Sequence, residues 1–305
     1  MPLNTLVYAT QLQKALDASA VLGLTSGWMD ANASQVVYNG GNKIRMPEMS
    51  TTGLKDYDRD DGYPDGSVTL SFKEYEMTMD RGTSFQLDAM DVNETNFIVN
   101  ATSVCSTFQK EHVLPEIDAY RYSRIYALLK EAGRSTAYTA EAAGIWDKLQ
   151  EDIAKIRDEI GEETPLVVTV SQKAKTMLEL NEKFTKILNV AEFKAGVINT
   201  RIKEFNNCFL KPVPSSRMKT AYVFKDGKTD GEKEGGFAPA EGSKGINWII
   251  TPQNVPIAVT KQDKMKIINP DAYQKADAWF IGYRRYHEVW VPEKRYKKCW
   301  VNEEE

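Results

Sequence analysis

Histidine is nearly missing from this chain: His112 and His287 are the only two in 305 residues, and they stand far apart. A hydrolase triad or a two-histidine zinc site would have to use both or neither. The HExxH and CxxC spacings, GxSxG and the phosphate-loop pattern are missing as well. Cysteine is equally scarce. Cys105, Cys208 and Cys299 are odd in number and widely separated, which argues against a disulfide framework and fits buried structural thiols in a reducing compartment. No apolar run approaches the roughly 18 residues that a membrane-spanning helix needs. The N-terminus, MPLNTLVYATQLQKALD, has no basic region followed by an apolar core. No secretory signal is read there, and a cytoplasm is the expected place of work.

An excess of basic charge is also lacking. Lys and Arg number 39 against 43 Asp and Glu, for a net charge of −4, where a nucleic-acid reader normally carries a basic patch or stripe. The densest basic cluster is Arg284, Arg285, Lys294, Arg295, Lys297 and Lys298, interleaved with Tyr286, Trp290, Tyr296 and Trp300. It reads either as a base-stacking surface or, more simply, as a sheet edge whose wet charges prevent mispairing. Hydrophobic content of 42% and charged content of 27% leave room for a real core, in one large domain or two.

What the chain does have is a long alternating stretch, Ser34 to Asp91, that predicts two extended arms around an acidic apex. The first arm carries Val36, Val37, Tyr38, Ile44 and Met46 before Leu54, with Gly40 and Gly41 as a twist or bulge. The second, Val68 to Ala89, puts Val68, Leu70 and Phe72 on one face. Its pattern slips by one residue at Lys73–Glu74, as a β-bulge would produce, and resumes at Tyr75, Met77 and Met79, then Phe85, Leu87 and Ala89. An arm of about 20 residues could reach ~65 Å. A two-stranded ribbon is marginal alone in water, so it must lie on its own chain or on a neighbouring copy.

The apex DYDRDDGYPDG invites a calcium reading, with Asp56, Asp58 and Asp60 at EF-hand positions 1, 3 and 5. That reading fails: Asp61 stands where the turn requires glycine, and Ser67 where the bidentate glutamate belongs. No metal site, cofactor site or catalytic residue is assigned. A carboxylate pair of glycosidase type is arithmetically possible, but no short motif selects two residues, so an enzyme is not expected.

Residues 1–33 read as an arm with a short helix, Leu12 to Val21. After the hairpin, Asp91 and Glu94 resemble a capping box for a helix from Val92 to Val113 whose stripe is Phe97, Ala101, Val104 and Phe108. Pro115 is expected to break or restart it, and Ile117, Tyr120, Ile125 and Leu128 continue to Gly133. From Thr139, a candidate N-cap, comes a helix with Ile145, Leu149, Ile153, Ile156 and Ile160, ended by Gly161 and Pro165. A buried strand at Leu166–Val170 precedes a helix capped by Ser171. Strands follow at 197–205 and 208–213, then a long polar stretch at 215–245 with a weak strand signal at 221–224. The remaining strands are expected at 246–251, 257–260, 265–268 and 279–290.

With chemistry motifs empty, the order of elements carries more weight. GGNKIRMPEMSTTGLKDYDRDDGYPDGSVTLSFKEYEMTMDRGTSFQLDAMDVNET, HVLPEIDAYRYSRI, INWIITPQNVPIAVTKQDKMKI and DAYQKADAWFIGYRRYHEVWV together resemble the major capsid proteins of tailed bacteriophages with the Hong Kong 97-like fold. The resemblance spans nearly the whole chain in the family's order. It implies an α+β fold with an N-terminal arm at 1–33, an extended β-hairpin (E-loop) at 34–90, and a peripheral domain with a spine helix at 91–133 plus 261–305. An axial domain would occupy 134–260, with 215–245 near a symmetry axis. The implied role is structural: hexamers and pentamers of this chain form the icosahedral head shell of a virion around double-stranded DNA, after procapsid assembly in the bacterial host cytoplasm. The implied partners are further copies, a separate scaffolding protein (or processing of a longer chain), a portal protein, and packaged DNA touched weakly and without specificity; no membrane is involved. Asp56, Asp58, Arg59, Asp60, Asp61 and Arg81 are the candidate intersubunit contacts. Lys43, Lys55 and Lys73 lie on the hairpin, but nothing local marks one as reactive, so no crosslink is expected. An encapsulin-like compartment shell, holding protein cargo on the same fold, is the alternative.

Overall fold

The computed structural model describes residues 23–38, 41–60, 62–88, 104–186, 189–195 and 198–305, with backbone alone for 189–195 and 198–202. The expected helix at 12–21, the Asp91–Glu94 capping box, Phe97, Ala101 and Asp61 lie outside the described residues.

A 3-10 segment, Gly27–Gln35, buries Trp28 and Met29. Then come β1 (Val37–Tyr38), β2 (Lys43–Thr51) and β3 (Val68–Glu76), an antiparallel sheet in the order β1-β2-β3. Strand β4 (Met79–Asp88) follows at once but belongs to a different sheet. The second arm of the hairpin is therefore two strands, and the break falls at Met77–Thr78 rather than at Lys73–Glu74. There the Thr78 backbone N–H and hydroxyl both donate to Glu288, at 3.1 and 2.8 Å.

The next helix is described from residue 104 and runs without interruption into α1 (Leu114–Glu131). Pro115 does not break the helix but stands in the first turn of α1, where the α-helical ladder restarts. A π-helical turn, Gln109–Val113, sits immediately upstream with helical backbone on both sides. The wider turn accommodates the missing donor and relieves the clash of the ring with the preceding carbonyl. The remaining elements are β5 (Ser135–Ala137), α2 (Ile145–Ile160), β6 (Leu166–Ser171), α3 (Gln172–Glu179), α4 (Glu182–Thr185), β7 (Asn189–Ala195), β8 (Ile198–Phe205), β9 (Cys208–Val213), β10 (Tyr222–Phe224), β11 (Phe237–Pro239), β12 (Ile246–Pro252), β13 (Ile257–Ile268), β14 (Ala278–Trp290) and β15 (Trp300–Glu303). Helix α2 begins behind Gly144, and the expected cap Thr139 instead donates its hydroxyl to Glu305 at 3.3 Å. The Ser171 hydroxyl does cap α3, accepting from the Ala174 N–H at 3.3 Å.

A seven-stranded sheet in the order β5-β15-β12-β6-β9-β8-β7 forms the centre. Its strand β6 is buried along its length, as a strand covered on both faces must be. Val167 faces a cluster with Tyr122, Ile125 and Leu129 of α1, while Leu166, Val168 and Val170 face Leu149, Ile153 and Ile156 of α2. The last strand, β15, enters this sheet between β5 and β12, apart from the other late strands. Those, β13 and β14, form a three-stranded sheet with β4 in the order β13-β14-β4. Strands β10 and β11 make a separate antiparallel pair within the polar stretch.

His287 is buried on β14, opposite Thr260 and Met79, with the Tyr120 ring 5.6 Å away. Burial, with the Arg285 and Arg121 guanidinia nearby, holds its imidazole well below the usual value of 6.5. The unfolded chain therefore takes up a proton that the folded chain refuses. Stability from this source is complete above pH ~6.5 and falls below it by about 1.4 kcal/mol per unit. We expect the urea midpoint to drop between about pH 6.5 and 5, and His287→Gln to flatten that part of the curve. An unchanged slope in the variant would contradict the assignment.

Candidate assembly interface

Strands β2 and β3 pair in unbroken register from Lys43–Glu76 to Thr51–Val68. There is no bulge at Lys73–Glu74. What slips is the side of the ribbon that carries apolar residues. Directly opposed residues share a face, so Ile44, Met46, Glu48 and Ser50 lie on one face with Tyr75, Lys73, Ser71 and Thr69. Arg45, Pro47, Met49 and Thr51 lie on the other with Glu74, Phe72, Leu70 and Val68.

Near the body, the first face is the apolar one. Ile44 and Met46 are buried against Ile257, Val259 and Trp290, with Tyr75 packed at the edge. The second face is charged there: Arg45 pairs with Glu74 at 2.7 Å and holds its carboxyl below the ordinary range, and Asn42 donates to Glu76. Toward the tip the polarity inverts. The second face now carries Met49, Val68, Leu70 and Phe72, exposed by 64, 69, 57 and 53%, while the first carries Ser50, Thr69 and Ser71. Nine of the twelve exposed large hydrophobics among the described residues lie between Val37 and Phe72. Among the described residues the ribbon thus carries most of the exposed large apolar side chains, and contiguous exposure of that kind marks an interaction site. Two ion pairs anchor its first face to the 3-10 segment Glu293–Lys298: Lys73 with Glu293, and Lys294 with Glu48 at 3.4 Å.

The tip closes through the Thr52 N–H on the Ser67 carbonyl (3.1 Å) and the Ser67 N–H on the Thr52 hydroxyl (3.0 Å). Lys55 donates to the Asp65 carbonyl at 2.7 Å, and Tyr57 and Tyr63 meet edge to face at 5.3 Å. Asp58 organises the turn: its carbonyl accepts from the Gly62 N–H and its carboxylate from the Asp60 N–H, at 2.9 and 2.8 Å. Gly62 has φ +84°, a conformation suited to glycine. Asp56, Asp58, Arg59 and Asp60 are therefore brought together at an exposed tip, as the sequence suggests.

Arg81 is elsewhere and already engaged. From β4 its guanidinium donates to Glu116 at 2.8 Å, to the Lys225 carbonyl at 2.6 Å and to the Gly236 carbonyl at 3.0 Å. It clamps β4 to α1 and to the loop between β10 and β11. The aromatic–basic cluster dissolves in a similar way. Arg284 pairs with Asp80 and Arg285 with Asp263, Arg295 donates to Gln35, and Trp290 is buried. The three cysteines are buried, and burial pushes the thiols up to about 11, 11 and 12 at Cys105, Cys208 and Cys299. Among the described residues, no group of three or more His, Cys, Asp or Glu side chains could hold a metal ion.

No family model matches the sequence, and neither does any curated protein. Solved structures do match its fold. A chain of the bacteriophage PhiM1 mature capsid aligns over 88% of this chain and 83% of its own, at 14% identity and TM-score 0.55. The capsid of Cyanophage P-SCSP1u aligns over 88% of this chain and 85% of its own, at 9% identity and TM-score 0.52. A virus-like particle from Pyrococcus furiosus aligns over 97% of this chain and 99% of its own, at 10% identity and TM-score 0.52. The mixed helix-and-sheet fold of this chain is shared with these phage capsid structures.

Proposed function

We propose that this chain is the structural major capsid protein of a tailed phage, whose hexamers and pentamers build an icosahedral head around double-stranded DNA. The observation that carries the reading is an exposed apolar ribbon face on a capsid-type fold, a surface that no described residue covers and that would be covered in a shell of many copies. In this reading residues 1–33 are the arm, 34–90 the extended hairpin, 91–133 with 261–305 the peripheral domain, and 134–260 the axial domain, into whose sheet β15 crosses back. A scaffolding protein and a portal protein are the assembly partners in the host cytoplasm. Contact with DNA is weak and nonspecific, in keeping with Arg284, Arg285 and Lys294 being paired to carboxylates.

A second reading, a compartment shell holding protein cargo, rests on the same fold, which the Pyrococcus furiosus virus-like particle shares over 97% of this chain and 99% of its own. Negative-stain electron microscopy of the purified protein tests the shared premise, with closed shells expected. Small oligomers alone, under every assembly condition and with scaffold supplied, would sink both readings. The absorbance ratio of purified shells then separates nucleic acid from protein contents.

A further inference from the structure

The free edge of β3 has a polarity of its own. The Met77 N–H donates to the Asn42 carbonyl and the Thr52 N–H to the Ser67 carbonyl, at 2.8 and 3.1 Å. Both bonds join directly opposed residues at the two ends of the β2–β3 register. Because hydrogen-bonded and non-bonded pairs alternate along an antiparallel ladder, these end bonds fix the pairs between them. Ser50–Thr69 and Glu48–Ser71 are hydrogen-bonded, so those residues turn their backbone groups inward. Thr51–Val68, Met49–Leu70 and Pro47–Phe72 are non-bonded, so those residues turn theirs outward.

The consequence differs between the two edges. On the outer edge of β2, beyond the short β1, the outward positions are Pro47, Met49 and Thr51, and the first of them has no N–H to offer, which blunts that edge next to the body. On β3 the outward positions are Val68, Leu70 and Phe72, each with a donor and an acceptor. The run Ser67–Phe72 has no charge and no proline, and it is rich in residues that favour strands. β3 ends its sheet, and among the described residues no strand pairs with it there. The same three residues also carry the exposed apolar face. An edge so unprotected is normally a hazard that proteins remove; here it adjoins the surface that the shell reading assigns to contact between copies.

We infer that the outer half of β3 accepts an extended strand from a second copy of this chain, paired to Val68, Leu70 and Phe72, so that backbone hydrogen bonds and apolar packing are made together. This rests on the shell reading, and it goes further in naming the edge, the parity and the bonding mode.

Hydrogen exchange with single-residue resolution tests it, comparing unassembled protein with shells. The amides of Thr69 and Ser71, bonded to β2, exchange slowly in both states. Those of Val68, Leu70 and Phe72 are fast in the unassembled chain and slow by about a hundredfold or more in shells. Shells in which those three amides stay fast would overturn the inference and leave the shell reading standing; absence of shells would remove both. A variant pair gives a second readout. Leu70→Pro removes a donor that the intrachain ladder does not use, whereas Leu70→Val keeps it. With both variants folded by circular dichroism, the proline is expected to raise the concentration needed for assembly about tenfold or more and the valine to leave it near the parent's. Equal behaviour of the two would show packing without strand addition and overturn the inference.

Discussion

The protein carrying both Leu70→Asp and Phe72→Asp is expected to fold as the parent does and to remain unassembled. In the single chain these side chains are 57 and 53% exposed, and substitutions at such positions usually change stability by less than about 1 kcal/mol. Under a neighbouring copy the balance is different. If each contributes ~100 Å² of apolar contact, its loss removes ~2.5 kcal/mol at ~25 cal/mol per Å². A carboxylate desolvated there without a partner adds several kcal/mol more. A loss of ~5 kcal/mol per contact raises the concentration needed for association by more than about a thousandfold. Thr69→Asp serves as the control, since Thr69 lies on the opposite, polar face of the same strand. Sedimentation velocity, with circular dichroism for the fold, separates the outcomes. Particles formed by the double variant at the parent's concentration would refute the role of this face, as would equal loss of assembly in the control.

The ribbon shows where sequence and structure part company. Alternation placed Val68, Leu70 and Phe72 on one face, and the register agrees. The slip beside Lys73 had two structural solutions, a bulge or an exchange of the buried side, and local sequence does not separate them. The choice depends on Ile257, Val259 and Trp290, which cover Ile44 and Met46 from strands remote in sequence. The engagement of Arg81 within the chain is hidden from local sequence for the same reason. Its partners Glu116, Lys225 and Gly236 lie 35, 144 and 155 residues away, so a charge near the hairpin looked free. Pro115 announces a restart of the α-helix, but nothing local announces the π turn ahead of it that keeps the helical path continuous. The helix stripe from Ile145 to Ile156 and the buried strand at 166–170 were legible because each element's periodicity is set by its own burial. Asp152 carries a signal legible in the sequence: it lies three residues after Leu149 and four before Ile156, inside the apolar stripe, where a carboxylate must have partners.

Those partners make Asp152→Ala the substitution with the largest expected effect on stability. Asp152 is fully buried. Its Oδ2 accepts from the Trp248 indole N–H and from Asn302 Nδ2, each at 3.2 Å, and from the Thr136 hydroxyl at 3.2 Å. Thr136 in turn accepts from the Trp300 indole at 3.1 Å, and Asn302 accepts from Asn247 at 2.8 Å. One carboxylate thus fastens α2 to β5, β12 and the C-terminal strand β15, which holds β5 in the sheet. Its charge is met by Lys155 and Lys148, at 3.3 and 3.7 Å from Oδ1. Alanine strands the buried indole and amide donors and leaves a cavity, so a loss of about 3–5 kcal/mol is expected. Asparagine can keep its oxygen on the Trp248 and Asn302 side and turn its amide toward the two lysines, which are partly solvated. It is expected to cost less, about 1–2 kcal/mol. Guanidinium unfolding of the two variants checks the order. If asparagine proved as damaging as alanine, the ion pairs with Lys148 and Lys155, rather than the indole and amide acceptors, would be what joins the last strand to the sheet.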